Sequence, residues 1–218
     1  MHIMTISASD IAKLRAQTGC GMMDCKNALE EANGDIAQAV DILRKKGIAK
    51  AAKRAGKVAA EGLVVSYIHA GGKIGVLLEL NCETDFVAKT DAFHALANDL
   101  AMHIAASNPR YVSKSDVPVE ELEREKNIYR DQLIVEGKPA EMIAKIVDGK
   151  LGKFYIDICL LNQAFIKDED KTIEQILSEK TAEIGEKITI RRFARYELGE
   201  GIEKEKTDFV AEVTAQLQ

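Results

Sequence analysis

Residues 63–69 read LVVSYIH, residues 70–73 AGGK and residues 74–82 IGVLLELNC. Two β-rich runs separated by a glycine-containing loop of this length predict an antiparallel hairpin. Working outward on the C-terminal side, Asp91 to Ala106 is helical by composition and spacing, and it ends ahead of Asn108 and Pro109 because the residue before a proline avoids helical geometry. A helical hairpin follows over about 118–154. Its first arm starts near Pro118 and carries Val119, Leu122, Tyr129 and Leu133, and its second starts at Pro139 with Ile143, Ile146, Val147, Leu151 and Phe154. Thr172 and Gln175 form a T-x-x-Q capping box ahead of one more helix. The last strand candidate, Lys187 to Leu198, alternates Ile188, Ile190 and Arg192 against Thr189, Arg191 and Phe193 and can join the first hairpin. The class is α+β, with a small antiparallel sheet, packed helices and an inserted helical hairpin.

On the N-terminal side the first 47 residues read as a bundle of three short helices. Ile11 and Leu14, then Ala28, Leu29 and Ala32, then Ile36, Val40 and Leu43 fall at helical spacing. Gly19 and Gly21 break the first pair, Asn33 and Gly34 end the second helix, Asp35 caps the third, and Gly47 is expected to close it. Ala49 to Ala60, with Lys50, Lys53, Arg54 and Lys57, reads as a solvated helical linker with a basic face. Glu200 to Gln218 reads as a polar turn and a short amphipathic helix containing Phe209, Val210 and Val213. Three units result: residues 1–55, a three-helix module and linker; residues 56–198, an α+β core; and residues 199–218, a C-terminal module.

Composition narrows the function. Apolar residues make up 46% and charged residues 30% of the 218, with a net charge of −5, so a soluble protein with protein partners fits better than a membrane protein or a nucleic-acid binder. Cys20, Cys25, Cys82 and Cys159 form no C-x-x-C pair, which predicts reduced thiols in a cytoplasmic protein without disulfides. Met1 to Ser7 is too short and too weakly charged for a signal or transit peptide, so the chain is expected to stay where it is made; Met4 is an alternative start. His2, His69, His94 and His103 show no metal-ligand spacing, and His94 and His103 fall on opposite faces of one helix. Neither a G-x-x-x-x-G-K-[ST] phosphate loop nor a G-x-G-x-x-G fingerprint is present. No enzyme chemistry, cofactor or metal is therefore expected.

Two segments say more. Residues 14–29, LRAQTGCGMMDCKNAL, place Met22 and Met23 at a glycine-punctuated corner. There they either fill gaps between helices or form an adaptable protein-binding surface. Residues 79–89, ELNCETDFVAK, run from a strand end straight into Thr84-Asp85-Phe86-Val87. Composition alone favours a Thr or Asp helix cap with Phe86 tucked into the core.

These two segments, with Arg191-Arg192-Phe193 and the ELGEGIE run at 197–203, resemble bacterial members of the elongation factor Ts family across essentially the whole chain. The resemblance implies a ubiquitin-associated-like N-terminal module and an α+β core that bind the GTPase elongation factor Tu and accelerate release of its GDP. Thr84, Asp85, Phe86 and Val87 would disturb the partner's magnesium and phosphate site, with Phe86 as a wedge. The module bearing Met22 and Met23 would rest on the nucleotide domain, joined there by the tail from Gly199. His69, Ile184 and Gly185 would hold a second domain. Longer relatives carry two copies of the core sheet and this chain one, like short members that pair as homodimers through the sheet. Ala194 stands where some short members have a cysteine, so a noncovalent homodimer is implied. An adaptor that binds without accelerating release is the competing class, and RNA binding through Lys45 to Lys57 is weaker because aromatics for base stacking are lacking.

Overall fold

The computed structural model describes residues 6–202. In chain order the helices are α1 (Ala8–Thr18), α2 (Met22–Glu31), α3 (Ile36–Arg54), α4 (Asp85–Ala88), α5 (Asp91–Ser107), α6 (Val119–Val135), α7 (Ala140–Ile158) and α8 (Ile173–Ile184). The strands are β1 (Glu61–Ile68), β2 (Ile74–Cys82), β3 (Ala164–Phe165), β4 (Asp168–Thr172) and β5 (Thr189–Glu197).

Alternation along β1 and β2 sets their register. Leu63 pairs with Leu80 and Val65 with Leu78, so one face of the hairpin is continuously apolar. β5 adds on the far side of β2, giving an antiparallel sheet in the order β1-β2-β5. Gly62 is required where β1 approaches β2. Its φ is +145°, and a Cβ built there would lie 2.2 Å from the Leu80 carbonyl oxygen. In β5 the expected strict alternation fails. A bulge at Arg191 leaves Leu80 facing Ile190 but Leu78 facing Phe193, so Phe193 packs toward the core instead of sharing a face with Thr189 and Arg191. Against this inner face lies α5, whose Phe93, Leu96, Leu100 and Ile104 recur at helical spacing and are buried, together with Ile173 and Leu177 of α8. Each such side chain contributes roughly 1.5 to 3 kcal/mol by leaving water.

The N-terminal bundle closes around Leu14, Cys25, Ala28, Leu29, Ala39 and Leu43. Its starts are capped as the sequence predicts for α3, where Asp35 accepts from the Gln38 amide at 3.0 Å, and Ser7 does the same for α1. Gly47, however, does not end the third helix. α3 runs unbroken to Arg54 and takes in part of the expected linker, because the missing side chain at Gly47 lets it lie against α8; a Cβ there would sit 3.3 Å from that of Ala182.

α6 and α7 form the expected antiparallel pair, each entered through a proline, around a small core of Leu133, Val147 and Leu151 with Tyr129, Ile143 and Phe154 against it. The second arm continues past Phe154 to Ile158, where the Tyr111 amide donates to the Ile158 carbonyl and ties the pair to the body. Short β3 and β4 precede the Thr172–Gln175 capping box, in which both reciprocal bonds are present. The expected C-terminal helix with Phe209, Val210 and Val213 lies outside the described residues.

Candidate functional site

β2 delivers the chain to Glu83 and Thr84 in extended geometry, and Thr84 then caps the single helical turn α4, its hydroxyl accepting from the Val87 amide at 3.4 Å. Ala88 is buried and Val87 packs against the core, which fixes the inward side of the turn. Phe86 points the other way. At 79% exposure it is not the core residue that composition favours. Val87 and Ala88, about 100° apart around the axis, take the side of the turn that faces the core, and Phe86 falls outside it. Asp85 beside it pairs with Lys89 at 2.6 Å, and that hydrogen bond holds its carboxyl below the usual carboxylate range.

Two carboxylates grip the entry to this turn. Glu186 Oε2 accepts the amides of Glu83 at 3.1 Å and Thr84 at 3.0 Å, and its Oε1 accepts the Thr84 hydroxyl at 2.7 Å. Glu83 accepts the Lys187 amide at 2.7 Å and the Arg54 guanidinium at 2.9 Å. The Lys187 amide first, and then Arg54, draw the Glu83 carboxyl below its ordinary range. Lys187 in turn donates through Nζ to the Ala55 and Lys57 carbonyls just beyond α3. The end of α3, the Thr84 turn and the loop after α8 are thus one hydrogen-bonded unit. Sequence reading missed Glu83, Glu186, Lys187 and the role of Arg54. Over a hundred residues separate Glu83 from Lys187, and no local pattern announces such a contact.

Met22 and Met23 open α2 and are 56% and 64% exposed, so they do not fill gaps between helices. Their corner abuts the last turn of α8: Gly19 turns left-handed at φ +68°, where a Cβ would meet the Glu183 carboxylate at 3.2 Å. One end of the molecule therefore gathers Met22, Met23, Ile184, Gly185 and the Thr84–Val87 turn. Gly185, at φ +84°, ends α8 and is exposed, while Ile184 is half-buried against the core. His69 stands apart from them. It is exposed at the hairpin turn, its Nδ1 3.0 Å from the Tyr67 hydroxyl, and the eight residues of β1, about 25 Å at the usual strand rise, separate it from the Thr84 end.

Among the described residues no group of three or more His, Cys, Asp or Glu is placed to hold a metal ion, and the four cysteines are free thiols. His94 is exposed and His103 is enclosed in the core, so the two do face opposite ways. No helix among the described residues is long and apolar enough to cross a membrane.

The arrangement defines an α+β protein with a helical N-terminal module and an exposed aromatic turn presented from the end of a small sheet. The family model described as "Elongation factor TS" matches residues 3–200. The chain is 60% identical over 213 residues to elongation factor Ts of Syntrophomonas wolfei, covering 98% of this chain and all of that protein. It is 58% identical over 212 residues to the elongation factors Ts of Desulfitobacterium hafniense and Geobacter sulfurreducens, covering 97% of this chain and 98% of each. The chain belongs to the elongation factor Ts family, and its role lies in translation elongation.

Proposed function

We propose that this protein is a guanine nucleotide exchange factor for elongation factor Tu, acting in the cytoplasm without covalent catalysis or a cofactor. The observation that carries the reading is the exposure of Phe86 on a capped turn hydrogen-bonded at the sheet end, with Met22 and Met23 exposed at the start of α2. An exchange factor binds the empty GTPase more tightly than the GDP-loaded one, and reciprocity makes it weaken GDP by the same factor. A thousandfold faster release needs roughly 4 kcal/mol off the dissociation barrier. Burying an aromatic side chain of about 150 to 250 Å² at roughly 25 cal/mol per Å² supplies an amount of that order when it inserts into the partner. Phe86 would displace side chains packed near the magnesium ligands, and Asp85 would compete for polar groups that the GDP state uses. Loss of magnesium leaves the phosphates under-neutralised.

A noncovalent homodimer belongs to the same reading. The outer face of the sheet exposes Val64, Ile68, Leu77 and Tyr196, with Ala194 directly opposite Leu77. An apolar sheet face of this kind suits a second copy of the chain. Two copies would also reconcile the position of His69, far from the Thr84 turn of its own chain, with a role in holding a second domain of the same GTPase.

Stopped-flow release of fluorescent GDP from elongation factor Tu tests the proposal. The parent chain should accelerate release by a thousandfold or more, and Phe86→Ala and Asp85→Ala should each cut that acceleration while melting within a degree or two of the parent. Binding without acceleration would instead mark an adaptor.

A further inference from the structure

We propose that Glu186 is a positioning residue for exchange, an inference that rests on the Phe86 wedge proposed above. A single helical turn is too short to hold itself together in water. α4 is such a turn, and Phe86, the side chain that has to enter the partner, is anchored by nothing on its exposed side. What fixes the approach to it is the Glu186 carboxylate, which satisfies two consecutive backbone amides and the Thr84 hydroxyl at once, at 3.0 to 3.1 Å and 2.7 Å. Charged acceptors form the stronger class of hydrogen bond.

Glu186 is itself held. It follows directly on Gly185, whose left-handed conformation turns the chain at the end of α8. The loop then closes where the Ile188 amide donates to the buried Thr181 hydroxyl at 3.2 Å. The second carboxylate, Glu83, takes the Lys187 amide and Arg54, so the Glu83–Thr84 segment and the Glu186–Lys187 loop hold each other reciprocally and α3 braces the pair. Freezing a backbone residue before the encounter rather than during it is worth roughly tenfold in rate per residue. With two residues so fixed, loss of Glu186 should slow the wedge step by about 10- to 100-fold. It should do so without removing any surface that touches the partner.

The test is release of fluorescent GDP from elongation factor Tu over a range of concentrations of the full chain. Glu186→Ala should lower the maximal release rate by 10- to 100-fold and move the half-saturating concentration by less than about threefold. Glu186→Gln, which keeps an acceptor oxygen for the two amides, should recover part of the loss. In the Phe86→Ala background Glu186→Ala should add less than a twofold further effect, because its role runs through that side chain. Thr84→Val removes only the hydroxyl bonds and should slow the maximal rate by about three- to tenfold; it also serves if Glu186→Ala does not fold. A parent-like maximal rate in the folded Glu186→Ala or Thr84→Val protein overturns the inference. So does a loss confined to half-saturation, or a full multiplicative effect on top of Phe86→Ala. Were the parent chain itself unable to accelerate release, the exchange reading would fall and this inference with it. An active parent with an indifferent Glu186 sinks the inference alone.

Discussion

His103 shows how much a single side chain can be asked to do away from any partner. It is fully buried on α5, its Nδ1 accepts the Ile166 amide at 3.4 Å, and its Nε2 therefore carries the proton and donates to Gln163 Oε1 at 3.0 Å. Gln163 passes the chain on to the Asp157 carbonyl at 3.0 Å. The imidazole is needed neutral, and burial pushes its pKa down from the ordinary value near 6.5. The unfolded chain then takes up the proton first as pH falls. Its contribution to stability is complete above the ordinary histidine range and is lost as pH drops through it toward the folded pKa, with a slope of at most about 1.4 kcal/mol per pH unit. Urea titrations between pH 8 and 5 should show this decline in the parent and a flatter curve in His103→Gln, which cannot titrate. Equal slopes would rule His103 out as the cause. Glu83 and Asp85, whose carboxyls are drawn down by Lys187 with Arg54 and by Lys89, act in a separate window below the ordinary carboxylate range, where their stabilisation is lost. Neither the burial of His103 nor the exposure of Phe86 could be read from composition. Both depend on which side of a helix the assembled core covers.

Elements were more legible than their joints. Glycine spacing and apolar alternation placed the β1–β2 hairpin, and proline entry placed α6 and α7, because those signals are local. The phase of β5 was lost because a bulge is a property of two strands together, and Arg191 looks like any alternating residue until Leu78 and Leu80 are set opposite it. The polar sequence of β4, Asp168–Thr172, offers no alternation to read. In sequence Gly47 reads as a stop because glycine commonly ends helices, whereas its use is in the α3–α8 contact. That contact predicts the effect of Gly47→Leu: the added side chain has no room beside Ala182, and overpacking should cost about 1 to 3 kcal/mol despite leucine's better helix propensity. Chemical denaturation would measure it. A Gly47→Leu protein more stable than the parent would mean that α3 and α8 are not in close contact in solution.

At the scale of the whole molecule, the proposed pairing through the outer sheet face is open to direct measurement. Leu77 is half-exposed at the centre of that face, between Ser66 of β1 and Ala194 of β5. Leu77→Glu should leave the folded protomer nearly as stable as before, because a surface change rarely exceeds about 0.5 kcal/mol, and yet separate the two copies. Light scattering at tens of micromolar should report twice the chain mass for the parent and the single mass for the variant; a parent of single mass would exclude the dimer. The unbroken course of α3 from Ile36 to Arg54 carries a different consequence. Had a loose tether joined the Met22–Met23 corner to the Phe86 turn, the second contact would form only at the modest effective concentration that a wandering chain provides. With both carried on one helical rod clamped at Arg54, the first contact leaves the second already in register. The GTPase would meet a two-pronged surface of fixed span, so that weak individual contacts act together as a strong one and a partner of the wrong span gains from neither.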